Sequence, residues 1–198
     1  MSALLDKAVL RAEIRARRKA FVASLPASVR NLSFRVLPSP VMALIPPGSR
    51  IAIYRAMGSE APTDNLIDFL AERGFPLCLP RLGADTSVEM EFAAWHPDDI
   101  LVPGQLKIPQ PRQEARTVVP DVVLTPLVGF DAQLNRIGNG AGYYDRYFAR
   151  HDIKLRIGIA WSAQMVDALP LEPWDVPLHM IVTEQSIIER ADRLMDEG

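Results

Sequence analysis

Residues 121–151, DVVLTPLVGFDAQLNRIGNGAGYYDRYFARH, run from an apolar strand through a glycine-punctuated loop into an aromatic, charged helix. Strand, glycine loop and helix in that order form a unit of an α/β fold and a common place for an anion to bind. Gly138, Gly140 and Gly142 lack Cβ atoms, so the backbone can turn tightly and direct successive N–H groups toward one point, while the following helix adds its positive end. Phosphate is the natural guest. The loop is not a Walker A motif, because no Lys-Ser or Lys-Thr follows the glycines, and it lacks the Rossmann spacing G-x-G-x-x-G. Arg136, just ahead of the loop, suits phosphate oxygens; Asp145, in the first helical turn, suits either a Mg²⁺ bridging those oxygens or the helix dipole. Tyr143 and Tyr144 stack on a flat ligand or pack the helix.

Outward from this segment the same alternation recurs. IAIY at 51–54 follows the Pro46, Pro47, Gly48 breaker and reads as a buried strand; Thr63 or Asp64 caps the next helix, Gly74 closes it, and PLCLP at 76–80 is another strand. Strand, helix and strand at this spacing predict a βαβ unit and a parallel sheet. EMEFAAW (89–95), LRIGIAW (155–161) and MIVTE (180–184) are further strands. Helices are expected over 27–37, after Gly142, from Ser162 to Leu169, and from a cap at Thr183 toward Met195; residues 96–120, rich in Pro and polar side chains, read as a long loop.

The 198 residues suit one domain, and 48% apolar with 23% charged residues is a globular balance that excludes a disordered or fibrous chain. The net charge is −2, yet the first 35 residues hold 8 Lys or Arg against 2 acids. Lys7, Arg11, Arg15 and Arg18 fall on one stripe of an N-terminal helix, with Leu10, Ile14 and Phe21 alongside to dock it. An acidic remainder argues against a nucleic-acid surface, and no apolar run approaches the ~20 residues that cross a bilayer. Asp6 and Glu13 speak against a transit peptide, so the cytoplasm is the expected compartment. Cys78, the single cysteine, has no internal disulfide partner and sits in an apolar strand.

The run F-D-x-x-x-x-R-[IL]-G-x-G-x-G-Y-Y-D-R resembles the hallmark of 5-formyltetrahydrofolate cyclo-ligases, also called methenyltetrahydrofolate synthetases. The resemblance extends to Lys7 and Arg11, to IAIYRAMGSEAPT, to LPR at 79–81, to IPQP at 108–111 and to the C-terminal DVPLHMIVTE, in order along nearly the whole chain. It implies a single α/β domain over residues 1–198, with a mixed, mainly parallel sheet flanked by helices like that of sugar-phosphate isomerases and CoA transferases. It also implies ATP- and Mg²⁺-dependent closure of 5-formyltetrahydrofolate to 5,10-methenyltetrahydrofolate, with ADP and phosphate released. ATP and the folate are then the partners, without nucleic acid or membrane, and a monomer is expected, with a weak homodimer as the alternative.

Carried over by position, the resemblance gives ATP contacts to Lys7, Arg11, Arg136, Ile137, Gly138, Asn139, Gly140, Ala141, Gly142, Tyr143 and Tyr144. It gives substrate contacts to Arg55, Glu60, Asn139, Gly140, Ala141, Gly142 and Tyr143, and catalytic roles to Arg136 and Asp145. Arg15 and Arg18 are left to solvent. Asp145 is the magnesium candidate; His179 stands where relatives have a second carboxylate, and histidine is a poor ligand for that ion. Two further departures concern shape. A glycine usual ahead of the R-[IL]-G run is here Leu134 or Asn135, and Leu106 stands where some relatives put an aromatic against folate, which either weakens stacking or shifts it to Tyr143 or Trp161.

Overall fold

A computed structural model describes residues 2–83, 89–104 and 108–189 of the chain. Short apolar strands meet there in a central sheet. Among the described residues the strands are β1 (Ile51–Ala52), β2 (Leu77–Leu82), β3 (Met90–Trp95), β4 (Val102–Pro103), β5 (Pro109–Gln110), β6 (Thr117–Val118), β7 (Val122–Pro126), β8 (Gly129–Phe130), β9 (Arg136–Ile137), β10 (Leu155–Ile159), β11 (Met180–Val182) and β12 (Ile187–Glu189). The helices are α1 (Ser2–Ser24), α2 (Ala27–Leu32), α3 (Ser39–Ala43), α4 (Asp64–Glu72) and α5 (Tyr143–Arg150). The main sheet has the order β12-β11-β10-β7-β1-β2-β3-β6. Its five middle strands, β11 to β2, run parallel; β12 and β3 pair antiparallel at the two sides, and β6 pairs antiparallel with β3. The mixed, mainly parallel sheet expected from the sequence is therefore present.

Alternation within the strands divides the core between the two faces. Ile51, Ile53, Leu77, Leu79, Val122 and Leu124 pack on one side under α4 and the segment carrying Phe34, Leu37 and Val41. Ala52, Cys78 and Val123 point the other way, toward Phe130, Tyr147 and Phe148. Cys78 is fully buried there, and burial pushes its thiol up to about 12, which leaves it unreactive at neutral pH.

Chain order places the site. From β1 the chain builds outward to β2, then returns to lay β7 on the other side of β1 before continuing through β10 and β11. The segments leaving the carboxyl ends of β1, β2 and β7 meet at this reversal, where parallel sheets leave a crevice.

Several local expectations are corrected by competing hydrogen bonds. The helix expected over Ser162–Leu169 is a single 3-10 turn, Ser162–Gln164. It ends because the Val166 amide donates to the Phe130 carbonyl and the Leu169 amide to the Asp131 carboxylate. The helix expected after Thr183 does not start: Thr183 Oγ1 accepts the Gln185 and Ser186 amides, and the chain turns into β12. The part of that expectation beyond Glu189 lies outside the described residues, as does Leu106. The helix over 27–37 stops at Leu32, and Phe34 takes a φ of 57°. The 96–120 loop carries β4, β5 and β6, held by buried Arg81, whose guanidinium donates to the carbonyls of Arg112, Gln113 and Ala115 and pairs with Glu91.

Helix α1 lies across this end of the sheet, anchored by Ile14 against Val128, Ile137 and Leu169. No described helix is long and apolar enough to cross a membrane. Ile14→Ala should lower the unfolding free energy by about 2–5 kcal/mol in urea titrations, whereas Val9→Ala, on the exposed face, should cost under about 0.5 kcal/mol.

Candidate active site

The glycine loop gets its shape from the hairpin that precedes it. Asp131 accepts the amides of Gln133 and Asn135, and Leu134 takes a φ of 64°, the left-handed turn for which glycine is better suited. Leu134 is held there by complete burial and by the Leu178 amide, which donates to its carbonyl. Leu134, and not Asn135, is thus the residue at the turn. β9 then delivers Arg136 and Ile137 to the start of the loop. Gly140 (φ 112°) and Gly142 (φ 66°) both need positive φ, and Gly142 opens α5.

Arg136 and Asp145 form the centre of this unit. Arg136 Nη2 donates to Asp145 Oδ1 at 2.7 Å, with the two side chains 2% and 15% exposed. The guanidinium lies 5.8 Å from the Tyr144 ring centroid and 5.5 Å from that of Phe148, and its Nε–H is buried without a hydrogen-bond partner. Burial presses the Arg136 pKa down, opposed mainly by Asp145; the always-charged guanidinium therefore depends on anions for compensation. The Val176 amide also donates to Asp145 Oδ1, at 3.4 Å.

The pair faces a cleft of about 270 Å³. One wall is the loop and helix start, Gly138, Asn139 and Ala141 through Asp145, without Gly140. The other is apolar: Leu79, Pro80 and Leu82 of β2, Met90, and Ile108 to Gln110. Gln110 is fixed by exchanging hydrogen bonds with the backbone of Leu82. Tyr54, Arg55, Met57 and Glu60, from the segment after β1, complete the lining. Glu60 accepts the Met57 amide at 2.9 Å, and burial raises its carboxyl above the ordinary carboxylate range against the pull of that amide and of Arg18.

The expected site residues fall into two groups. Arg136, Gly138, Asn139, Ala141, Gly142, Tyr143, Tyr144, Asp145, Arg55 and Glu60 line the cleft together. Arg55 sits at its rim in an exposed pair with Asp64, 3.3 Å. Lys7 and Arg11 stand behind the loop: Arg11 Nε donates to the Gly138 carbonyl at 2.9 Å, and buried Lys7 pairs with Asp175 at 2.7 Å. A Cβ on Gly140 would lie 3.7 Å from the Arg11 guanidinium carbon. Ile137 packs on Ile14 beneath them.

Arg18 is buried and donates to Ser59 Oγ, contrary to the solvated role expected, because it ties α1 to the segment after β1. Exposed Arg15 donates to Asn139 Oδ1. Trp161 cannot stack on a folate: it is 1% exposed, edge-on to Phe21 and Phe34. Tyr144 packs against Phe92 and Phe148, while Tyr143 stays half-buried at the cleft beside Arg146.

Asp175, Ser59 and Gln110 escape a sequence reading because each acts on residues far away in the chain; the first signal for Asp175 is its place in DVPLHMIVTE. His179 is built into the sheet, its Nδ1 accepting the Arg156 amide and its own amide donating to the Arg156 carbonyl, each at 2.9 Å. Among the described residues no three His, Cys, Asp or Glu side chains gather as a metal cage. Asp145, a carboxylate on the cleft wall, is of the donor type that Mg²⁺ takes together with phosphate oxygens and water.

Known proteins resemble this chain over most of its length. Residues 4–184 match the model of the 5-formyltetrahydrofolate cyclo-ligase family. The 5-formyltetrahydrofolate cyclo-ligase of Escherichia coli K12 is 36% identical over 145 residues, 70% of this chain and 80% of that protein. The solved 5,10-methenyltetrahydrofolate synthetase of Aquifex aeolicus superposes with a TM-score of 0.74 at 27% identity, covering 94% of this chain and 93% of the other. That of Mycoplasma pneumoniae gives 0.66 at 28%, covering 90% and 99%.

Asp145→Asn keeps the shape of the pair but strands the Arg136 charge in the interior. It should destabilise the fold by about 3–5 kcal/mol in denaturant titrations, and wild-type stability in that variant would contradict the pairing.

Proposed function

Because the chain belongs to the 5-formyltetrahydrofolate cyclo-ligase family, we propose that it closes 5-formyltetrahydrofolate to 5,10-methenyltetrahydrofolate with conversion of ATP to ADP and phosphate, in the cytoplasm. The observation that carries this is the Arg136–Asp145 pair, which lines one cleft with the glycine loop opposite the apolar wall of Leu79, Pro80, Leu82 and Met90. Such a site takes an anion and a flat, mostly apolar molecule side by side.

The formyl oxygen attacks the γ-phosphorus, and the electron pair of the broken bond leaves with ADP. N10 of the folate then adds to the activated formyl carbon and loses its proton, and the carbon–oxygen bond to phosphate breaks, giving the N5–CH–N10 bridge. No side-chain nucleophile is needed, so the protein supplies position and charge. Arg136 and the amides of the Gly138–Tyr144 loop take the terminal phosphates, with Lys7 and Arg11 supplying positive charge behind it. Glu60, Arg55 and Tyr143 take the folate, the Glu60 carboxylate accepting hydrogen bonds from the pterin N–H groups. Asp145 would hold Mg²⁺, which offsets phosphate charge when bound.

Purified protein given Mg·ATP and 5-formyltetrahydrofolate at neutral pH should develop the near-ultraviolet absorbance of the methenyl product, and should not when ATP is omitted. No signal in the complete mixture would overturn the activity.

Glu60 supplies a pH signature. With its carboxyl held high by burial, it takes up a proton at higher pH than an ordinary glutamate, so KM for the folate should rise as pH falls through that raised range. Glu60→Gln should raise KM at neutral pH and flatten this rise. The folded state binds the Glu60 proton more tightly than the unfolded state, so the ionised group costs stability above this range and the cost fades as pH falls. Glu60→Gln should therefore raise Tm at neutral pH, with a gain that shrinks on acidification.

A further inference from the structure

Resting on the reading of this cleft as the nucleotide site, we propose that Asp175 is a positioning residue for ATP: it fixes the Lys7 ammonium beside the glycine loop and joins it to the Arg136–Asp145 pair. Lys7 Nζ meets Asp175 Oδ2 at 2.7 Å, with only 8% of the lysine side chain exposed. The residue after Asp175 donates its amide, from Val176 N, to Asp145 Oδ1, and that same oxygen receives Arg136. A continuous line of charges thus runs from α1 through the 172–176 turn to the head of α5. One helical turn from Lys7, Arg11 bonds the Gly138 carbonyl, so the line passes along the loop that would hold the phosphates.

The alternative role for such a carboxylate is a stand-in that phosphate displaces. Two features favour a holder. Asp175 Oδ2 also accepts the Glu172 amide at 2.8 Å, and the Asp175 amide donates to the Glu172 carbonyl at 3.0 Å, so the carboxylate is locked into its own turn whether or not a ligand is present. Lys7 spends one ammonium proton on Asp175, and its charge stands behind the loop that would hold the phosphates. A buried ammonium needs a counter-charge, and the Asp175 carboxylate supplies it. Asp175 also acts electrostatically on Arg11 and Arg136, supporting their charged forms.

Titration calorimetry of the full chain with Mg·ATP, and separately with 5-formyltetrahydrofolate, tests this. Asp175→Asn should weaken Mg·ATP binding by about 10- to 100-fold, the range of a lost charge-assisted hydrogen bond, and leave folate binding unchanged. Asp175→Glu, which keeps the charge, should recover most of the affinity. The double variant Lys7→Met with Asp175→Asn strands no buried charge and so stays folded where the single variant fails. It should bind Mg·ATP as weakly as the Asn variant. Unchanged or tighter binding by Asp175→Asn, or wild-type affinity in the double variant, would overturn the inference while the nucleotide reading stands. A wild-type protein that does not bind Mg·ATP would remove that reading and the inference together.

Discussion

A guanidinium removed from water needs a counter-charge, and Arg136 has Asp145. This requirement organises the surrounding structure. Arg136 comes from β9 and Asp145 from the first turn of α5, so their contact fixes the two ends of the glycine loop against each other. The loop between them takes positive φ values at Gly140 and Gly142, a conformation suited to glycine. The pair does not use all of the arginine's donors: the Nε–H is buried without a hydrogen-bond partner.

Around this pair, α1 acts as a clasp. Its cations reach four separate segments: Lys7 to Asp175, Arg11 and Arg15 to the glycine loop, Arg17 to the carbonyls of Ala163 and Met165, and Arg18 to Ser59. The helix is thus both a source of positive charge and the element that holds the loops at one end of the sheet in register. The apolar wall of the cleft is fixed by other means. Arg81 gathers the carbonyls of the 112–115 segment, and Gln110 pairs with Leu82 as a short strand would. Both walls are set by protein contacts before any ligand enters, which limits the ordering cost of binding.

Local patterns revealed the parallel sheet and the glycine loop, while the residues expected around the cleft came from the family resemblance. IAIY, PLCLP and DVVLTP are apolar on alternate sides and have no other stable home than a covered sheet, and the glycine run announces its own turn. What stayed hidden depends on distant partners. Arg18 reads as a solvated cation until the fold brings Ser59 beneath it, and Trp161 reads as a ligand platform until Phe21 and Phe34 close over it. The helix expected after Ser162 loses its amides to Phe130 and Asp131, residues about thirty to forty positions earlier. Asp175 is the sharpest case: its place at the head of DVPLHMIVTE marks it without giving it a task, and its contact with Lys7, 168 residues away in the chain, supplies one.

The account stands or falls on where a nucleotide sits. A crystal structure of the chain with Mg²⁺ and a non-hydrolysable ATP analogue should show the terminal phosphate within hydrogen-bond reach of the Arg136 guanidinium and of amides in the 138–142 loop. Nucleotide bound outside this cleft, with Arg136 Nε still unpartnered, would contradict it.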